Sequence, residues 1–220
     1  MKLNLHLLKY EMLFSIANKS ILLSTSFFII VILTVGIGLG QIGENSEKTV
    51  IAIIWITIAL SSIFSMKAMF QDDYEDGTLD LYMLSTASLE TVVFLKALTH
   101  WITTNLPIIF LTPVISITLG LSINHSFLIS LVMFLSTPAI SFISTMGAAL
   151  TLGEKGGNLL MSIFILPAFL PIMIFGIKIS ILITTSIYEI MAYLILLALS
   201  LICIAITPFI TSIIIKIHYT

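Results

Sequence analysis

Two groups of side chains in this sequence are of types and spacings that could do chemistry. The first is the run Phe70 to Leu84, FQDDYEDGTLDLYML, in which Asp72, Asp73, Glu75, Asp76 and Asp80 supply five of the chain's eleven carboxylates. Carboxylates at that density can hold calcium, and Asp72, Asp76 and Gly77 fall at positions one, five and six of a calcium-binding loop. Positions three and twelve are Tyr74 and Met83, so two required ligands are missing and the metal reading fails. What remains is a water-facing acidic element, with Phe70, Tyr74, Leu81 and Leu84 on one side of a helical wheel and Asp72, Asp76 and Asp80 on the other. Asp76-Gly77 should break it, because glycine accepts the backbone angles that close a turn.

The second group is Lys96, His100 and Thr103, which recur with Pro107 at helical spacing as a polar stripe in an otherwise apolar run. An imidazole there could ligate haem or line a ligand path. Interhelical hydrogen bonding by His100, with Lys96 snorkelling to the membrane interface, carries more weight on general grounds. His125 reads as a solvated residue of a short outer loop, Glu189 as the outer end of the last span, and Trp55 and Trp101 as packing or interface residues. Cys203 stands alone, which excludes an intrachain disulfide and any multi-cysteine metal site. No Walker A, HExxH or GxSxG pattern occurs, so the reading is a non-enzymatic chain with no catalytic residue, no metal site and no directly bound cofactor.

The elements that must carry these residues are set by composition. Hydrophobic residues make up 59% and charged ones 9%, whereas a soluble domain carries about 25% charge, so the chain is read as an all-α integral membrane protein. Six spans are expected, at about Ser20 to Gly40, Thr49 to Met66, Thr91 to Leu119, Ser126 to Leu152, Asn158 to Ile177 and Ile187 to Ile215. Residues 1–19 give two apolar stripes, Leu3-Leu7-Tyr10-Phe14 and Leu5-Leu8-Met12-Ile16, as in a helix lying at the interface. Residues 67–90 form a water-facing segment between spans two and three, within a single domain of 1–220. Seven of the nine lysines fall at one membrane face and only Lys48 and Lys178 at the other, so the positive-inside rule puts both termini in the cytoplasm. Gly36 and Gly40 make a small-xxx-small pair for close helix approach. Six prolines interrupt spans three to six, which suits helices that bend.

Beyond these patterns, the sequence resembles the haem exporter protein B (CcmB) family, the permease subunit of the cytochrome c maturation ABC transporter. The resemblance runs over nearly the whole chain. It is carried by FQDDYEDGTLDLYML, then LKALTHWITTNLPIIFLTP, STPAISF, ALTLGEKGGNLL and LPAFLPIMIF, in that order and spacing. This chain has Asp80 where members of the family often have Glu, and Lys155 where they commonly have Arg.

The resemblance implies a six-helix permease of the ABC-2 exporter type, working as a homodimer with a separate ATP-binding subunit on the cytoplasmic side. The docking role for that subunit would fall on Asp72, Asp73, Asp76, Gly77, Leu79 and Asp80. It also implies a haem-handling membrane protein and a haem chaperone as partners, haem as a candidate substrate, and a bacterial inner membrane or a mitochondrial one. Neither nucleic acid nor ATP would be bound by this chain itself. ATP hydrolysis would serve either haem delivery or, by preference, release of the haem-loaded chaperone. Two other classes share the architecture: a permease of another ABC exporter, for lipid-linked sugars or drugs, and a non-transport membrane scaffold.

Overall fold

A computed structural model describes residues 8–9, 11–13, 15, 20–39, 47–66, 69–85, 88–153, 165–187 and 189–218. Among them the regular elements are all helical: α1 (Ser20–Leu39), α2 (Glu47–Met66), α3 (Gln71–Glu75), α4 (Thr78–Leu84) and α5 (Leu89–His100) come first. A π-helical turn (Trp101–Asn105) then leads into α6 (Leu106–Thr118), followed by α7 (Ile123–Leu150), α8 (Leu166–Thr184) and α9 (Ile190–His218). Helical stretches built on α2, on α5 with α6, on α7, on α8 and on α9 are each long and apolar enough to cross a membrane. This is a multi-pass helical membrane protein. The apolar stretch of α1, Leu22–Gly38, is shorter than those five.

Lipid offers no hydrophobic reason for helices to associate, so packing here depends on close approach and on hydrogen bonds between helices. Helix α7 is the central post. Of its apolar window 67% is buried inside the protein, against 22% for the peripheral α9. Its buried face is rich in small and hydroxyl residues, among them Ser136, Ser141, Ser144, Gly147, Ala148 and Ala149. Thr145 and Thr211 share a hydrogen bond of 3.2 Å, and Ser200 donates to the Leu135 carbonyl at 3.0 Å, which pins α9 to α7. Trp55 of α2 is fully buried and donates its indole N–H to Ser180 of α8 at 3.1 Å. Gly176 makes that fit possible, because a Cβ there would overlap the indole ring. Trp101 is half-buried, donating to Thr137 at 3.1 Å with its ring edge-on to the exposed Phe134.

Two expectations change and a third is met at one of its two residues. The fifth span, expected at Asn158 to Ile177, has its first residues outside the described set and continues to Thr184. Lys178 does not stop it, because its ammonium meets Glu189 across the following turn at 2.8 Å where both are about half exposed. His125 lies in the first turn of α7 rather than in a loop, its backbone N–H donating to the Ser122 hydroxyl that caps the helix. Of the glycine pair, Gly36 faces Leu119 closely, at 2.8 Å from where a Cβ would stand, while Gly40 lies outside the described residues. Gly120, at φ +91°, closes the turn between α6 and α7.

Candidate functional site

The acidic run folds as two short helices. Gly77 sits between them at φ +79°, a left-handed conformation that other residues adopt at a cost of about 1–2 kcal/mol. Asp76 accepts the Thr78 N–H at 2.8 Å, and the Thr78 hydroxyl and then that N–H hold its carboxyl below the usual carboxylate range. The expected break at Asp76-Gly77 is therefore present. The expected apolar face is not. Phe70 is buried, but Leu81 and Leu84 are largely exposed, and the inward positions are taken by Asp73 and Leu79. A wheel drawn through the run assumes one continuous helix, and the left-handed glycine re-aims everything after it.

The docking set splits accordingly. Asp76 and Asp80 face outward beside Glu75, Tyr74, Leu81 and Leu84, and Asp72 is half-buried. Asp73 and Leu79 are buried within the chain.

Asp73 points at Lys96. The Lys96 ammonium lies 2.5 Å from Asp73 Oδ2 and donates to Glu11 Oε2 at 2.8 Å, with all three side chains under 10% exposed. Tyr82 of α4 donates its hydroxyl to the other Glu11 oxygen at 3.2 Å, and the Phe70 ring centroid lies 5.7 Å from the ammonium. Lys96 thus does not snorkel to the interface. It is a buried cation, retained because two carboxylates and an aromatic face replace its water.

One turn further along, His100 is buried between helices. Ser65 Oγ lies 2.7 Å from its Nε2 and Ser141 Oγ 3.1 Å from its Nδ1. Asn105 donates to the same Ser141 hydroxyl at 2.7 Å and accepts from Ser62 at 2.9 Å. This network joins α2, α5, the π-turn and α7 around one imidazole and one amide. The π-turn that brings Asn105 to it has a cause in Pro107. Proline cannot donate and its ring crowds the carbonyl four residues back, so the turn widens and the Leu106 N–H reaches the Trp101 carbonyl instead.

Lys96, His100 and Thr103 are therefore all buried, as the polar stripe implied, but they do not line one path. Lys96 meets the acids, His100 the serines, and Thr103 the Ser15 hydroxyl at 3.0 Å and the Thr99 carbonyl at 2.8 Å. At the end of α7, Gly153 comes against Tyr74, whose hydroxyl would lie 3.3 Å from a Cβ there. The ALTLGEKGG run and the acidic run thus touch, although residues 154–164 lie outside the described set.

Glu11, Asn105, Ser62, Ser65 and Ser141 were not singled out by sequence. Glu11 did leave a signal, as the sole carboxylate before Glu44 in an amphipathic segment. Asn105 left one too, as an amide two residues before a proline in an apolar run.

Together these features define a multi-pass membrane permease in which an acidic surface segment is tied through a buried lysine to a core helix. Compared with known proteins, the chain belongs to the CcmB protein family, whose family model matches residues 3–218. It is 39% identical over 154 residues to Heme exporter protein B of Rhodobacter capsulatus, covering 70% of this chain and 71% of that one. It is 34% identical over 189 residues to Heme exporter protein B of Bradyrhizobium diazoefficiens, covering 86% and 85%. With Heme exporter protein B of Haemophilus influenzae the identity is 33% over 159 residues, covering 72% of each.

Proposed function

We propose that this chain is the membrane-spanning permease of a bacterial ABC transporter serving haem export for cytochrome c maturation, and that α3 and α4 form the face that meets a separate ATP-hydrolysing subunit. The observation that carries the reading is the two-sidedness of that short helix pair. Its inward side chains lock onto Lys96, Glu11 and the core, while Glu75, Asp76, Asp80, Leu81 and Leu84 are left exposed together. An acidic rim around exposed leucines suits a partner with a basic, partly apolar groove. In this reading the chain crosses the inner membrane six times with α1 as the first span, both termini are cytoplasmic, and two copies assemble. The lysine asymmetry supports that orientation, and the bacterial relatives support the inner membrane rather than a mitochondrial one.

ATP hydrolysis in the partner would drive release of haem-loaded chaperone from a haem-handling membrane protein rather than passage of haem through this chain. Support comes from His100, whose two ring nitrogens are both engaged by serines. A non-transport scaffold is separated from an ABC permease of either kind by one experiment. The tagged chain, co-expressed with the ATP-binding subunit, is expected to retain it on purification, and Glu75→Lys with Asp80→Lys to lose most of it while inserting normally in the membrane. Retention at wild-type level by that double variant across a salt titration would overturn electrostatic docking on this face, and no retention by wild type would favour the scaffold.

A further inference from the structure

Three stretches of chain remote in sequence meet on the Lys96 ammonium: the N-terminal segment through Glu11, the acidic segment through Asp73, and α5, which carries the lysine. Tyr82 closes the ring by donating to Glu11, so both α3 and α4 are held. Lys96 is 4% exposed, Asp73 5% and Glu11 7%, which leaves no bulk water to replace a carboxylate that moves away. Parting any of these contacts strands a buried charge, and that is far costlier than parting an exposed pair. Two attachment points on one cation also resist rotation, which a single pair would allow. Four residues along α5, His100 bridges Ser65 of α2 and Ser141 of α7, so a displacement of α5 enters the packed core there.

We propose that Glu11, Asp73 and Lys96 form the joint through which movement of the acidic segment reaches the transmembrane core, with Lys96 as a positioning residue that makes the N-terminal segment, α3 and α5 move as one piece. The proposal rests on the reading that the acidic segment meets an ATPase subunit. It separates two roles on the same short helices. Glu75 and Asp80 hold the partner from outside, whereas Asp73 transmits from within and contributes nothing to the outer surface.

Asp73→Asn and Glu11→Gln test this without stranding charge, because each leaves Lys96 one carboxylate. Measured in cells with the whole maturation system are the amount of chain in the membrane, the ATPase subunit copurified with it, and the c-type cytochrome assembled per retained subunit. Chain and retained subunit are expected to stay at wild-type level in both variants while cytochrome per retained subunit falls at least fivefold. Asp73→Glu is expected to return that ratio to within twofold of wild type. Unchanged ratios in both neutral variants would overturn the joint, as would a fall seen only where chain or retained subunit falls in parallel, the mark of a merely structural contact. An Asp73→Glu ratio as low as that of Asp73→Asn would also overturn it. Should wild type retain no ATPase subunit, the functional reading fails first and the joint with it, and that outcome is visible before any variant is compared.

Discussion

Both nitrogens of His100 are taken by serines that have second partners of their own, and this decides what the residue is for. Ser65 also donates toward the carbonyls of Ser61 and Ser62, and Ser141 also accepts from Asn105, so the imidazole is one member of a mesh. A glutamine offers one donor end and one acceptor end and can serve the same two hydroxyls. Interhelical hydrogen bonds in membranes are worth about 0.6 kcal/mol on average and up to about 2 kcal/mol, so an imperfect substitute costs little. His100→Gln is expected to insert normally and to support c-type cytochrome assembly within about threefold of wild type, measured by haem staining of membrane proteins. Loss of assembly at normal chain level would instead assign the imidazole a ligand role. The sequence announced His100 and Lys96 through their spacing in an apolar helix. It marked Glu11 only as a lone carboxylate and not as the partner of Lys96, because that contact joins residues 85 apart and no local pattern encodes such a meeting.

At the scale of elements, the helices that cross the bilayer were legible and the short ones were not. Long apolar runs leave lipid no alternative to helix, so the observed starts of α5, α7 and α9 lie within about three residues of expectation. In α3 and α4 the left-handed Gly77 reset the direction of every later side chain, and a single wheel could not follow it. The π-turn was hidden for a related reason: proline marks a disturbance, but whether a helix kinks or widens depends on its neighbours. The junction of α2 with α8 gives the sharpest test of packing. A side chain at Gly176 would occupy the space of the Trp55 ring, and overpacking of this kind costs typically 1–3 kcal/mol. Gly176→Val is expected to lower the detergent-solubilised chain's unfolding temperature by several degrees, read by size-exclusion profile after heating. Gly176→Val with Trp55→Leu should recover part of that loss. Equal profiles for wild type and Gly176→Val would mean that α2 and α8 are not packed in this way.

For the whole molecule, charge placement and the bundle's own ends can be set against each other. The Lys178–Glu189 pair and the exposed Thr185 mark the end of the bundle where α8 turns into α9, and Ser85 lies exposed at the end of α4 in the acidic segment. Helix α8 runs from Leu166 to Thr184, about 28 Å at 1.5 Å per residue, which is close to the hydrocarbon thickness of a bilayer. Its C-terminal turn therefore belongs to one water-facing surface, and Lys216, near the close of α9, to the other. If the second surface is cytoplasmic, Ser85 is shielded in intact cells and Thr185 is not. In a Cys203→Ala background, Thr185→Cys is expected to react with a membrane-impermeant thiol reagent added to spheroplasts, and Ser85→Cys only after the membrane is opened. The opposite pattern would invert the orientation and remove the acidic segment from any ATP-hydrolysing partner. Labelling of both from outside would mean an even number of crossings between them, against the three made by α5 with α6, α7 and α8 if each crosses once.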